Sequence, residues 1–125
     1  MPARFSRPLL AAIDAAKIVG IRVGARSSHR FTGIWAVVVR GRVLARSWTA
    51  SPGGWYRAVV LDPTATLQVG ERQVRCRARR VRSERLRDEL ERAYAAKYAT
   101  PGARRYVRGF RTPRRRAATI EFLPR

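Results

Sequence analysis

Between Ile34 and Val39 the chain reads IWAVVV, an unbroken apolar run rich in β-branched residues. It is too short for a buried helix, which needs about 10–12 residues, so it is read as a strand. Apolar side chains on both of its faces require cover on both sides. A central strand of a small closed sheet meets that requirement and an edge strand does not. Arg40-Gly41-Arg42 then turns the chain, with Gly41 free to take positive φ, and Val43-Leu44-Ala45 returns as the partner strand. Ser51-Pro52-Gly53-Gly54 is a loop, and Trp55-Tyr56-Arg57 opens a short helix that ends at Asp62-Pro63. A hairpin, a small-residue loop and an aromatic pair at a helix start make a candidate ligand cradle.

The flanking segments wrap around this hairpin. Ser6 is an N-cap for a helix from about Arg7 to Lys17, with Leu9, Leu10, Ile13 and Ala16 at helical spacing. Ile18 to Val23 reads as the first strand, and Gly24 to Arg30 as a polar loop. A second hairpin has the clearest alternation. Leu67 and Val69 face one way, Gly70-Glu71-Arg72 turns the chain, and Val74, Cys76 and Ala78 alternate with Arg75, Arg77 and Arg79. Ser83 caps a further helix whose inner stripe is Leu86, Leu90, Ala93, Tyr94 and Lys97, and Thr100-Pro101-Gly102 stops it. Ala103 to Arg116 reads as a basic loop with seven arginines, and Thr119 to Leu123 as a last strand. Six short strands and little helix predict a mainly β (α+β), closed antiparallel barrel with two or three flanking helices.

The chain's 125 residues suit one domain, 1–125. Its net charge of +20 draws it toward polyanions. Lys17 and Lys97 are the only lysines, however, and such an arginine bias is also what a GC-rich genome writes into any protein. One cysteine, Cys76, and one histidine, His29, leave no intramolecular disulfide and no cysteine or histidine cluster for a metal. Cys76 is expected to be a small buried thiol. No segment approaches the ~20 apolar residues of a membrane helix, so a cytoplasmic protein is expected.

Gly53-Gly54-Trp55-Tyr56-Arg57, Asp62-Pro63, Leu67-Gln68-Val69-Gly70 and Arg75-Cys76-Arg77-Ala78-Arg79-Arg80-Val81 resemble, in order and spacing, the motifs of the deazaflavin-dependent nitroreductases. A bacterial domain-of-unknown-function family of the same superfamily is more similar still. Its marks are Thr32-Gly33-Ile34-Trp35-Ala36-Val37-Val38, Ala93 to Tyr98, and the ending Tyr106-Val107, Pro113 and Ala117 to Ile120.

The resemblance implies a flavin/deazaflavin-binding split β-barrel, a homodimer, and a phosphorylated cofactor (a deazaflavin coenzyme or FMN) held beside the dimer interface. It places Arg26-Ser27-Ser28 where the nitroreductases grip the coenzyme phosphate, and Ser47 near the phosphate-ribityl chain. Trp55 and Tyr56 match their Trp-Tyr, with Arg57 following. Gly33-Ile34-Trp35 departs from their usual proline, which sets the Trp35 indole in competition with a flavin ring for the same space. The resulting expectation is a cofactor-binding protein of reductase type acting on a small acceptor, with no catalytic residue named. The alternative is a cofactor-free module whose arginine faces hold nucleic acid or another polyanion.

Overall fold

The computed structural model describes residues 4–25, 28–49, 51 and 53–125. Seven strands, β1 (Val19–Val23), β2 (Thr32–Ile34), β3 (Ala36–Val39), β4 (Arg42–Arg46), β5 (Thr64–Val69), β6 (Arg72–Arg80) and β7 (Thr119–Pro124), pair antiparallel in the order β2-β1-β5-β6-β7-β4-β3. The two end strands of that order, β2 and β3, are separated in the chain by Trp35 alone. Two peptide links span at most about 7 Å, so the sheet has to curl until its ends meet. The result is a nearly closed barrel. Six expected strands become seven because the run containing Ile34 to Val39 breaks at Trp35.

That run is covered on both faces, as its composition required, but it is not a central strand: β2 and β3 are the two end strands, each paired along one edge only, and the helices and the curl of the barrel supply the cover. Ala36 packs into the barrel with Val19, Ile21, Val43, Leu67, Cys76 and Phe122, while α1 (Arg7–Ala15) and α2 (Trp55–Leu61) add Leu9, Ile13, Tyr56 and Val59 to the same core. Val37 and Val39 face outward, with Leu44, onto α3 (Glu84–Lys97), where they meet Leu86, Leu90 and Tyr94. Leu67 lies opposite Val74 and Ala65 opposite Cys76, so the second hairpin keeps its predicted alternation. Cys76 is fully buried, and burial pushes its thiol up to about 12.

The stretch read as a basic loop is instead helical, forming α4 (Pro101–Gly109) and α5 (Pro113–Ala117). Proline is tolerated in a first helical turn, where its missing N–H has no intrahelical partner to lose. Thr100-Pro101 and Thr112-Pro113 are therefore start signals, and the Thr100 hydroxyl accepts the Ala103 N–H. Among the described residues no helix is long and apolar enough to cross a membrane.

One buried ion-pair cluster fastens the outside of the sheet. Glu121 of β7 is 2 % exposed and lies between Arg42 of β4 and Arg79 of β6. The Arg42 Nε and Nη2 donate to it at 2.9 and 2.8 Å, and Arg79 donates through Nε and Nη2 at 3.1 and 2.9 Å. Burial alone would raise the Glu121 carboxyl, but these hydrogen bonds outweigh it and hold the group below its ordinary 4.5. A carboxyl depressed in the folded state contributes stability above its unfolded value and loses it as pH falls through the folded one. Urea midpoints measured at decreasing pH should therefore drop below about pH 4.5. Glu121→Gln should flatten part of that drop, and an unchanged profile would remove Glu121 as a contributor.

Candidate functional site

The β3–β4 ladder ends at the pair Ala36 and Ala45. The next rung outward would join Trp35 to Arg46, and the Tyr94 hydroxyl stands in its place. That hydroxyl accepts the Arg46 backbone N–H at 2.9 Å and donates to the Trp35 carbonyl at 2.5 Å. Tyr94 is fully buried, and burial raises its phenol well above the usual range, so it remains a neutral donor. Past this wedge the two strands part. One passes to β1, where Ile34 pairs with Val19 and Thr32 with Ile21; the other stays on β7, where Arg46 pairs with Thr119.

A cavity of about 400 Å³ fills the fork. Thr32 to Trp35 form one side and Arg46 to Thr49 the other, with Trp55, Tyr106 and Phe110 completing it. Trp35 is a wall of this cavity rather than its filling. Its indole stacks flat on Tyr98, with ring centres 3.9 Å apart and planes 9° apart, and meets Tyr94 edge-on. Trp48 closes the opposite side, packing edge-on against Tyr106 and Phe110. Ser47 and Thr49 supply the polar edge, although the Ser47 hydroxyl already donates to the Thr49 carbonyl.

Arg46 sets the floor. Its side chain is completely buried, and every nitrogen of the guanidinium is used. Nε donates to Thr119 Oγ1 at 2.9 Å, Nη1 to Glu91 at 3.1 Å and to the Phe110 carbonyl at 3.0 Å, and Nη2 to the Arg87 carbonyl at 3.3 Å. Burial lowers the Arg46 pKa and Glu91 opposes the shift, so the charge persists. Glu91 is also paired with Arg116 and Arg111, and Arg116 reaches Glu84 and Asp88 too. The acidic stripe of α3 thus fixes both the floor of the cavity and the C-terminal helices that roof it.

The residues singled out from the sequence fall in different places. Ser47 and Trp55 meet in the cavity. Tyr56, one position on, points the other way along α2: it is buried in the barrel core, with its hydroxyl 3.4 Å from the Ala117 carbonyl. Arg57 is exposed on α2 and Ser28 is exposed in the loop before β2; neither lines the cavity. Arg26 and Ser27 lie outside the described residues. Sequence reasoning missed Arg46, Tyr94, Tyr106 and Phe110. The spacing of Glu84, Asp88, Glu91 and Tyr94 on one helix face was the available signal, since a chain this basic places three of its few carboxylates there.

The family model for an "uncharacterized protein conserved in bacteria (DUF2255)" matches residues 9–122. The chain belongs to this family. Solved structures extend the family's fold to more distant proteins. The conserved hypothetical protein Rv2991 from Mycobacterium tuberculosis is 10 % identical, with a TM-score of 0.61 over 96 % of this chain and 79 % of that one. An F420-H2 dependent reductase (FDR-A) is 18 % identical, with a TM-score of 0.57 over 86 % of this chain and 93 % of that one. A FAD-binding protein (mll6688) from Mesorhizobium loti is 12 % identical, with a TM-score of 0.53 over 94 % and 87 %. No curated protein matches. The chain therefore shares its barrel fold with these proteins, and the fork cavity opens at the barrel's seam.

Proposed function

We propose that the fork cavity binds the planar ring of a flavin or deazaflavin cofactor and that the chain acts as a reductase of a small acceptor. The observation that carries this reading is the cavity itself. It is a largely aromatic cleft of about 400 Å³, bounded by Trp35, Trp48 and Trp55 and edged by Ser47 and Thr49, and its size and lining are those of a small-molecule site. Trp35, held against Tyr98, leaves the space open. Two of the similar structures, described as an F420-H2 dependent reductase and a FAD-binding protein, lend support through their shared fold.

In this reading the bound cofactor supplies hydride transfer, and the chain binds, orients and shields it. The indoles offer stacking faces, and the side chains of Ser47 and Thr49 offer hydrogen bonds to the ring edge or the ribityl hydroxyls. The resemblance assigns the cofactor phosphate to Arg26, Ser27 and Ser28. It also implies a homodimer; Leu61, 85 % exposed beside Val60 on α2, is apolar surface that a second copy would cover. Titrating the folded protein with FMN and with a deazaflavin coenzyme should quench tryptophan fluorescence saturably, at micromolar concentrations. No quenching by either ligand at tens of micromolar would end this reading.

A second reading rests on β6. Arg75 and Arg77 are exposed and have no acidic partner among the described residues, whereas Arg79 is engaged with Glu121. A polyanion binder would use them, and would show binding to single-stranded nucleic acid that falls steeply with salt.

A further inference from the structure

A second cavity, of about 530 Å³, abuts the first and shares Trp48 and Thr49 with it. Thr112, Arg114 and Arg115 complete its lining, and no carboxylate is among these residues. We propose that this corner is an anion subsite that takes the phosphate of a ligand whose ring lies in the fork cavity. The proposal rests on the ring-binding reading above and adds where the charged end of the ligand goes. It moves the phosphate from the Arg26-Ser27-Ser28 loop to the α4–α5 corner.

Three consecutive arginines of α5 have been divided between separate tasks. Arg116 is turned onto the α3 carboxylates Glu84, Asp88 and Glu91. Arg115 is built into the wall: Nε donates to the Trp48 carbonyl at 2.8 Å, Nη1 donates to the Gly109 carbonyl at 2.9 Å, and the guanidinium lies 3.5 Å from the centre of the Trp48 ring. Its Nη2 makes no bond to the described residues. Arg114 is exposed and makes no hydrogen bond or ion pair to them either. One guanidinium is therefore fixed in place before any ligand arrives, and an exposed one lines the same corner, together with Thr112. Guanidinium groups suit phosphate oxygens because they donate in a planar fork, and a donor already immobilised loses little further freedom on binding.

Gly109 shows how closely this wall is fitted. A Cβ there would sit 2.5 Å from Cη2 of Trp48, so Trp48 can occupy its place only over a glycine. The wall common to both cavities is thus held by α4 from below and by Arg115 from one face. A ligand with an aromatic ring on one side of it and a phosphate on the other would touch both compartments.

The test compares FMN with riboflavin, which has the ring and no phosphate, on the wild-type chain, on Arg114→Glu and on Arg26→Ala. The expected result is that wild type prefers FMN by about tenfold or more, since hydrogen bonds to charged groups are the strong ones. Arg114→Glu should abolish that preference while leaving riboflavin affinity within about twofold, because an exposed side chain outside the ring cavity leaves packing intact. Arg26→Ala should keep the preference. Equal binding of FMN and riboflavin by wild type, or a preference that survives Arg114→Glu, overturns the subsite and leaves the ring-binding reading standing. Failure of FMN, riboflavin and a deazaflavin coenzyme alike to bind overturns the two together.

Discussion

Replacing Arg46 with methionine should lower the unfolding free energy by about 3 kcal/mol or more, since each buried acceptor left without its donor costs about 1–3 kcal/mol. Methionine matches the stem of arginine but donates nothing. Thr119 Oγ1 and the carbonyls of Phe110 and Arg87 would each lose a donor, in positions to which water has little access. Glu91 would keep Arg116 and Arg111, which holds the loss short of a stranded carboxylate. Arg46→Lys should fall between the two, since an ammonium restores charge without the planar fork. Urea denaturation with an unchanged m-value is the measurement. A loss under 1 kcal/mol would mean that the Arg46 bonds add little to the fold.

Tyr94→Phe should cost about 1–3 kcal/mol, the penalty for leaving buried polar groups unmet. Removing this one oxygen orphans the Arg46 N–H and the Trp35 carbonyl together. The variant should also bind FMN more weakly, because the hydroxyl is what holds the two walls of the fork apart and aligns Trp35 against Tyr98. Amide exchange at Arg46, read by NMR, should speed up along with the loss of stability. A variant with wild-type stability and wild-type FMN affinity would show that the seam stays open without its wedge.

How far the sequence revealed this arrangement depends on the physics of each part. The barrel was legible because period-two alternation in Leu67 to Ala78 and the doubly apolar run Ile34 to Val39 admit few other folds. The break at Trp35 was not, since it arises from a tyrosine 59 positions away whose hydroxyl interrupts the ladder. Thr100-Pro101 follows the end of α3 at Lys97, as read, and also starts α4; proline both ends and begins helices, and only the Thr100 cap bond to Ala103 reveals the second role. In the candidate site, Ser47 follows β4 directly and Trp55 opens α2, and both face the fork. Tyr56 faces away because adjacent helical residues point about 100° apart. Nothing local sets Arg46 apart from the chain's other arginines. Its burial follows from tertiary contacts with Glu91 and Thr119 that no local pattern contains.

The central claim is that the seam between Thr32–Trp35 and Arg46–Thr49 is a ring-binding site. A crystal structure of the chain with FMN or a deazaflavin coenzyme bound tests it most directly. The account predicts the ring in the fork, against the indoles of Trp35 and Trp55, with the Tyr94 hydroxyl still bridging Trp35 and Arg46. A ring bound elsewhere on the barrel, or a fork collapsed with Trp35 across it, would contradict the account.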